Sequence, residues 1–477
     1  MADGRVDKSR SSPKFHGVAG EVIFILLCSM GLFLFALFLG NAVINQAVFP
    51  TKLGVSEGNT PWLIGSFLLP SGIAVIITGS LADLSDPKIL MIIGFVWLVI
   101  WNVIVVFSTR PSLPVLLFVV RAMQGLAIGV LQATSMSLLG RVYSSGIRKT
   151  RVFSVMSATV PIGFLVGCLQ GGALTAHLPW IFGSNAIVSF VCAVASLPDI
   201  PSFNPKHNPS GTPLSLKGFD TVGALLAAIG CGLIILGLTQ GVPSGWSPYT
   251  YSLIIVGVLF LFLFYLAERR TTRPLVDNRL WLTPGFLSLA ISYLLGYGAY
   301  VGGWMFFAVQ FLLTIRHHAP ITVALYFIPN MICGILATYT VSETLHLFPG
   351  HWILIAGMVA NTMGPALSMP GIALVTFGPD LTFAAASIFI TSNVPRSFQG
   401  SAGSLLVTIQ NLSAAIVTAI GDTIGKEVIK AGGDGYSLDL GALRAIWWFS
   451  LAISLAAAVV CAGFVRIPKS EEKDHLE

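Results

Sequence analysis

The sequence predicts an all-α polytopic membrane protein with fourteen spans, and three observations predict it. Hydrophobic residues make up 55% of the 477 and charged ones only 10%, whereas a soluble domain carries about 25% charged residues. Apolar runs long enough to cross a bilayer, about 20 residues each, recur from one end of the chain to the other. Lys and Arg fall in the polar breaks, 19 in one alternating set and 6 in the other, with Arg121 the remaining one of 26. That threefold bias places both termini in the cytoplasm. The net charge of +6 follows these breaks and no single face, which argues against nucleic acid as a partner.

Taken in order, residues 1–20 are polar and basic, without the apolar core of a signal peptide, and read as a cytoplasmic tail. Spans near 22–49, 61–80, 88–107, 113–138, 152–175 and 179–197 form a first six-span unit, residues 21–197. The stretch 198–220, "PDIPSFNPKHNPSGTPLSLKGFD", is rich in Pro, Ser and Asn and reads as a cytoplasmic linker. Two further spans, near 221–240 and 250–267, occupy 221–267, and a basic loop fills 268–284. A second six-span unit, 285–466, holds spans near 285–312, 320–341, 350–369, 371–392, 400–420 and 443–465. Only Pro370 and Gly371 separate the eleventh span from the twelfth, so one re-entrant segment also fits there. Residues 467–477 are a short cytoplasmic tail. All six cysteines lie within apolar runs, which makes a disulfide framework improbable.

Polar side chains within spans point to function, because an Arg or Asp near mid-bilayer costs roughly 2.5–3.5 kcal/mol. In span 4, "RAMQGLAIGVLQ" puts Arg121, Gln124 and Gln132 on one helical face. Span 1 carries Asn41 and Asn45 four residues apart. Span 9 sets Tyr293, Tyr297, Tyr300 and Trp304 in a stripe, with Gln310 beyond it. Span 12 holds Asp380 directly after Gly378 and Pro379, where the missing N–H bends a helix. Broken helices at that depth are tolerated where they line a cavity. Spans 1, 4, 9 and 12 therefore stand out as the walls of a path.

Each of these residues also has a plainer use. Asn41 and Asn45 can bind helices together, and the tyrosines can serve as packing or an interfacial belt. Asp380 can pair with a distant base, and Arg121 can snorkel outward. In span 5, Gly163, Gly167 and Gly171 recur every fourth residue beside Pro161. That stripe lets helix backbones touch and suits a rocking contact.

The same residues resemble a known family, the major facilitator superfamily. "GSLADLSDPK", Gly79 to Lys88, is similar to its loop signature G-x-L-a-D-r-x-G-r-k at Gly79, Leu81, Ala82, Asp83 and Lys88, with Leu84, Asp86 and Pro87 departing from it. "RAMQG" matches the span 4 signature R-x-x-Q-G, and "SATVPIGFLVGC" is similar to the span 5 antiporter motif without its Gly-Pro pair. The span count resembles the fourteen-span drug:H⁺ antiporters. The segments "GIRKTRVFSVMSATVPIGF" and "GPDLTFAAASIFITSNVPRSFQGSAGSLLVTIQN" resemble their fungal branch, with its aminotriazole-resistance and low-affinity ammonium transporters.

The resemblance implies two six-helix bundles plus two extra central helices, with spans 1, 4, 9 and 12 lining one cavity. It implies proton-coupled efflux of a small amphipathic compound by alternating access, in a monomer of the plasma membrane or a vacuolar one. Asn41, Asn45, Gln124, Gln132, Tyr297, Tyr300, Trp304 and Gln310 are the candidate substrate contacts. Asp380 is the candidate proton carrier, and Arg121 is the second proton-coupling candidate, as a fixed positive field, an attractor of an anionic substrate group or a group that tunes a neighbour's protonation. Asp83, Arg141, Gly163, Gly167 and Gly171 are candidate gating residues, with Asp83 expected to pair with Arg141. The family's span 1 Asp falls on Asn41, which cannot titrate, and this favours the alternative of a facilitator or importer of ammonium or borate. No cofactor or metal is expected: none of the eight histidines lies deep in a span, and no loop holds a phosphate-cradling motif. An enzyme is therefore not expected.

Overall fold

The computed structural model describes residues 17–54, 59–108, 114–143, 147–203, 218–271, 274–276, 279–344, 349–367, 369–394, 399–432 and 439–467. Most of the expected linker and both expected tails lie outside them. The described residues are helical throughout, without a strand among them. We number the membrane-length segments by span: α1 (Gly17–Ile44), α2 (Trp62–Leu84), α3 (Pro87–Ser108), α4 (Pro114–Val142), α5 (Ile147–Ala173), α6 (Leu178–Asp199), α7 (Thr221–Gly241) and α8 (Pro248–Glu268). There follow α9 (Phe286–Ile315), α10 (Pro320–Thr340), α11 (Gly350–Leu367), α12 (Phe377–Asn393), α13 (Gln399–Gly432) and α14 (Leu440–Phe464).

Twelve of these are long and apolar enough to cross a membrane as single helices among the described residues. The other two are α11 and α12, where the sequence had the weakest punctuation. A short helix, Met369–Leu374, precedes α12 and stops at a turn over Val375 and Thr376. The cause is local, since Pro379 has no N–H to continue the ladder back toward that turn. The expected count of fourteen thus meets twelve unbroken crossings and a discontinuous pair.

The first six helices pack chiefly among themselves: α2 on α4, α1 on α5, α3 on α4 and α6. The last six do the same, with α11 on α12 and α14, and α9 on α13 and α14. Two seams join the sets, α2 against α13 and α5 against α10. Along the first, Gly72 lies on Thr408 and Asn411, and Gly79 lies on Ser404. Along the second, Pro161 meets Gly334, Gly172 meets Ile321, and the rings of Phe164 and Phe327 are 5.3 Å apart. The pair α7–α8 closes on itself through Gly230, Gly237 and Gly257, and α7 rests on both α2 and α13.

The glycine stripe of α5 does not lie in either seam. A Cβ on Gly163 would strike the Phe33 carbonyl, one on Gly167 the Leu37 carbonyl, and one on Gly171 the side chains of Ile44 and Asn45. All three face α1, within the first set of helices. The stripe brings backbones into contact, as its spacing required, while the residues of α5 that meet α10 across the seam are Pro161, Phe164 and Gly172.

Candidate functional site

Arg121 is buried to 3% exposure and turned into the first helical set. Its Nε donates to the Leu63 carbonyl at 3.2 Å, and one terminal nitrogen donates to the Phe38 carbonyl and to Gln124 Oε1, both at 3.3 Å. The guanidinium carbon sits 4.5 Å from the Phe67 ring centroid. Gln124 in turn donates to Asn102 Oδ1 at 2.9 Å. Among the described residues none of these partners comes from α9 or α12. Arg121 therefore turns inward and does not snorkel. Gln132 is buried with Oε1 unpaired.

The span 1 amides form a second network. Asn41 donates to Gln170 Oε1 at 3.0 Å, and Gln170 donates onward to Ser184 and Asn185 of α6. Asn45 donates to the Asn41 carbonyl and accepts from Thr175. These contacts join α1, α5 and α6, while Asn41 Oδ1 stays buried and unpaired. Gln46, just beyond α1, donates to the Phe306 carbonyl at 3.0 Å and so touches α9.

The third cluster surrounds the break before α12. Tyr297 donates to the Pro379 carbonyl at 2.9 Å. Tyr293 and Tyr297 have ring centroids 4.9 Å apart. Asn330 of α10 donates to the Ile372 carbonyl at 2.8 Å and to Thr376. Asn361 of α11 lies so close to Gly378 that any Cβ there would overlap its Oδ1. Asp380 is half-buried as a residue, but its Oδ2 is sealed from solvent and has no hydrogen-bond partner among the described residues.

The aromatic stripe divides. From Gly298 to Met305, and again from Phe311 to Ile315, α9 widens into π-helix, a geometry frequent at functional sites. Tyr293 and Tyr297 pack in the core around α11, α12 and α14. Trp304 packs instead in the larger core shared with α1 and α5, with Tyr300 stacked on it at 6.3 Å. A 3.6-residue period predicts one face, and the extra backbone turn rotates the second pair off it. Gln310 is half-buried with Oε1 unpaired.

At one end of the molecule, here called the Asp83 face, Asp83 and Arg141 are 3.9 Å apart, as expected, and Arg141 also donates to the Ala82 carbonyl. Both belong to the first helical set, so the pair ties α2 to α4 and does not bridge a seam. Asp86 accepts from the backbone of Lys88 and of Phe203, and Arg141 lies 5.9 Å from the Phe203 ring. Beside them, Glu21 accepts from Tyr143 at 2.7 Å and pairs with Arg148 at 2.6 Å. Burial first, then the hydrogen bond and charge of Glu21, push the Tyr143 phenol above its ordinary range, so it stays a neutral donor.

The four expected helices thus carry three separate polar clusters, not one connected site. Sequence reasoning missed Gln170, Asn330, Asn361 and Thr376. The signal was present, because each is a polar side chain inside an apolar run, the criterion already applied to Asn41.

The sequence matches the family model of the Major Facilitator Superfamily over residues 22–418. The chain is 29% identical to the low affinity ammonium transporter of Saccharomyces cerevisiae, covering 92% of this chain and 88% of that one. It is 28% identical to that organism's aminotriazole resistance protein, over 86% and 78% of the two chains. It is 26% identical to efflux pump terJ of Aspergillus terreus, over 94% and 89%. Among solved structures, a peptide transporter in complex with sulfate superposes with a TM-score of 0.62 at 17% identity, covering 92% of this chain and 94% of that one. The human organic anion transporter superposes with 0.59 at 13% identity, over 93% and 98%.

Proposed function

The chain belongs to the major facilitator superfamily, and on that premise we propose that it exports a small amphipathic organic compound against entry of protons, by alternating access. Six-helix halves, 21–197 and 285–466, rock about the α2–α13 and α5–α10 seams. The 198–220 linker and the extra pair within 221–267 lie between them, and the 268–284 loop follows that pair. Fourteen segments cross the membrane, with α11 and α12 as the discontinuous pair, and both termini and the Asp83 face are cytoplasmic.

One observation carries the coupling. Asp380 sits at the break in α12, next to the Pro379 carbonyl that accepts from Tyr297, with one carboxylate oxygen sealed and unpaired. Lys and Arg are absent from the deep parts of α9 to α14. A carboxylate there, without a resident cation, takes its compensating charge from a proton. Asn41 cannot titrate and Asp422 of α13 is already paired with Lys426 at 3.2 Å, so Asp380 is the carrier in this reading. The relative named as an efflux pump supports export, and the tyrosine and tryptophan rings offer apolar surface to an organic substrate.

The second reading is import of ammonium or another small polar solute, favoured by Asn41 and by the relative of that name. Comparing cell contents and medium, with and without the gene, separates the two. An organic compound retained inside without the protein supports export, while reduced ammonium entry supports import. In proteoliposomes, Asp380→Asn is expected to lose transport driven by an imposed pH gradient and to keep exchange of substrate. Gradient dependence equal to wild type would exclude Asp380 as the carrier.

A further inference from the structure

The two helical sets touch at several depths, and the depth of a contact decides what it can do. Thr408 of α13 donates to the Gly72 carbonyl at 2.6 Å, midway along α2. At the end opposite the Asp83 face, Gln46 donates to the Phe306 carbonyl at 3.0 Å. Gln46 is 2% exposed and Phe306 1%, so water does not compete for this bond. A carbonyl only accepts, which fixes the amide nitrogen as the atom that faces it.

The chain builds this contact from both sides. Gln46 sits in the turn that ends α1, and its neighbour Asn45 accepts from Thr175, just past α5. Gly172, three residues earlier, lies against the backbone of Pro320 and Ile321, where α10 begins. Phe306 opens the short α-helical turn between the two π-helical stretches of α9. The four helices α1, α5, α9 and α10 thereby meet at this end, and Gln46 adds a hydrogen bond across the sets.

Gln170 shows what a fixed tie between helices requires. Its Oε1 accepts from Asn41 and its Nε2 donates to Ser184 and Asn185, all within the first set. Gln46 differs, because its Oε1 is buried with no hydrogen-bond partner among the described residues. Half-satisfied burial is costly, and parting of the sets returns both ends of the amide to water. Position gives the contact its leverage. Arg121 bonds the carbonyls of Phe38 and Leu63, so these two residues share a level. By helix rise, Gln46 then lies roughly 25 Å from the level of Gly72. A rigid-body rotation of about 10° there carries Gln46 about 4 Å, beyond hydrogen-bond range, while Thr408 barely moves.

We infer that Gln46 is a positioning residue of the transport cycle, whose amide latches the end opposite the Asp83 face and lets go each time that end opens. The inference rests on alternating access, as proposed above. A bond made only in the closed arrangement biases the equilibrium toward it, so losing the bond shifts the molecule toward opening at this end and closure at the Asp83 face.

Pulsed electron resonance on the full chain in lipid nanodiscs, without substrate, tests this. Spin labels at the exposed Thr51 and Thr314 read the latched end, and labels at Ile89 and Phe464 read the Asp83 face. Gln46→Met keeps the side-chain length and loses the donor. Gln46→Asn, one methylene short of the carbonyl, takes its place if the Met variant does not fold. Either is expected to raise the ratio of long to short distances at Thr51–Thr314 by about threefold or more, and to lower it at Ile89–Phe464. Gln310→Met, one turn further along α9 with Oε1 already unpaired, is expected to keep the wild-type ratios. Two populations in the wild type with ratios unmoved by the Gln46 variants would overturn the latch and leave alternating access standing. A change at Thr51–Thr314 alone would also overturn it, as loosening of one turn, and so would an equal shift in Gln310→Met. A single distance at both label pairs in every variant would overturn alternating access itself, and the latch with it.

Discussion

A guanidinium sealed inside a helical bundle needs acceptors, and Arg121 takes them from two carbonyls, one glutamine and the face of Phe67. Hydrogen bonds to charged groups contribute about 1.5–3 kcal/mol each, and stranding buried partners costs a similar amount. Arg121→Ala is therefore expected to destabilise the fold by about 2–4 kcal/mol, read as a lower melting temperature in detergent. Arg121→Lys recovers little of it, because a point charge cannot span the three acceptors. A side chain working in an open path would show the reverse, with transport lost and stability intact. That Arg121 is costly and compensated was legible in the sequence. Which helices compensate it was not, since the acceptors at Phe38 and Leu63 are backbone atoms that no side-chain pattern announces. Asp380 was legible for the opposite reason, because a Gly-Pro-Asp run within an apolar segment marks both the charge and the break.

Helices read less evenly. Most spans with firm punctuation were legible to within a few residues, though α13 runs to Gly432, well past the expected end at 420, and the division of α12 depends on how Pro379 and the turn at Thr376 share hydrogen bonds. The aromatic stripe of α9 followed a 3.6-residue period that the π-helix interrupts. Gly298, Gly302 and Gly303 lie in that widened stretch and pack against Val417, Ala414 and Ser450, neighbours that sequence spacing does not reveal. The α5 stripe predicted a close helix contact but not its partner. Because Gly167 rests on the Leu37 backbone, Gly167→Ala must push α5 from α1, at a cost of about 1–3 kcal/mol. Gly140→Ala and Gly232→Ala, which meet open space, are expected to leave thermal stability unchanged. Equal stability in all three variants would show that the α1–α5 contact has room to yield.

At the scale of the whole molecule, the proposed transport cycle turns on two seams and on what holds them. The Asp83–Arg141 pair is partly exposed, and such pairs contribute at most about 1 kcal/mol. Its part is geometric, fixing the end of α2 where Gly79 meets Ser404 of α13. Asp83→Asn is therefore expected to lower transport while surface abundance stays normal, and unchanged transport would remove the gating role. The central claim is that the halves move about these seams under control of Asp380. Spin labels at Ile89 and Phe464, which are 57% and 69% exposed on α3 and α14, report the separation of the halves at the Asp83 face by pulsed electron resonance. The account predicts two distance populations whose ratio changes with pH in the wild type and is fixed in Asp380→Asn. A single distance at every pH, or an unaltered pH response in Asp380→Asn, would contradict it.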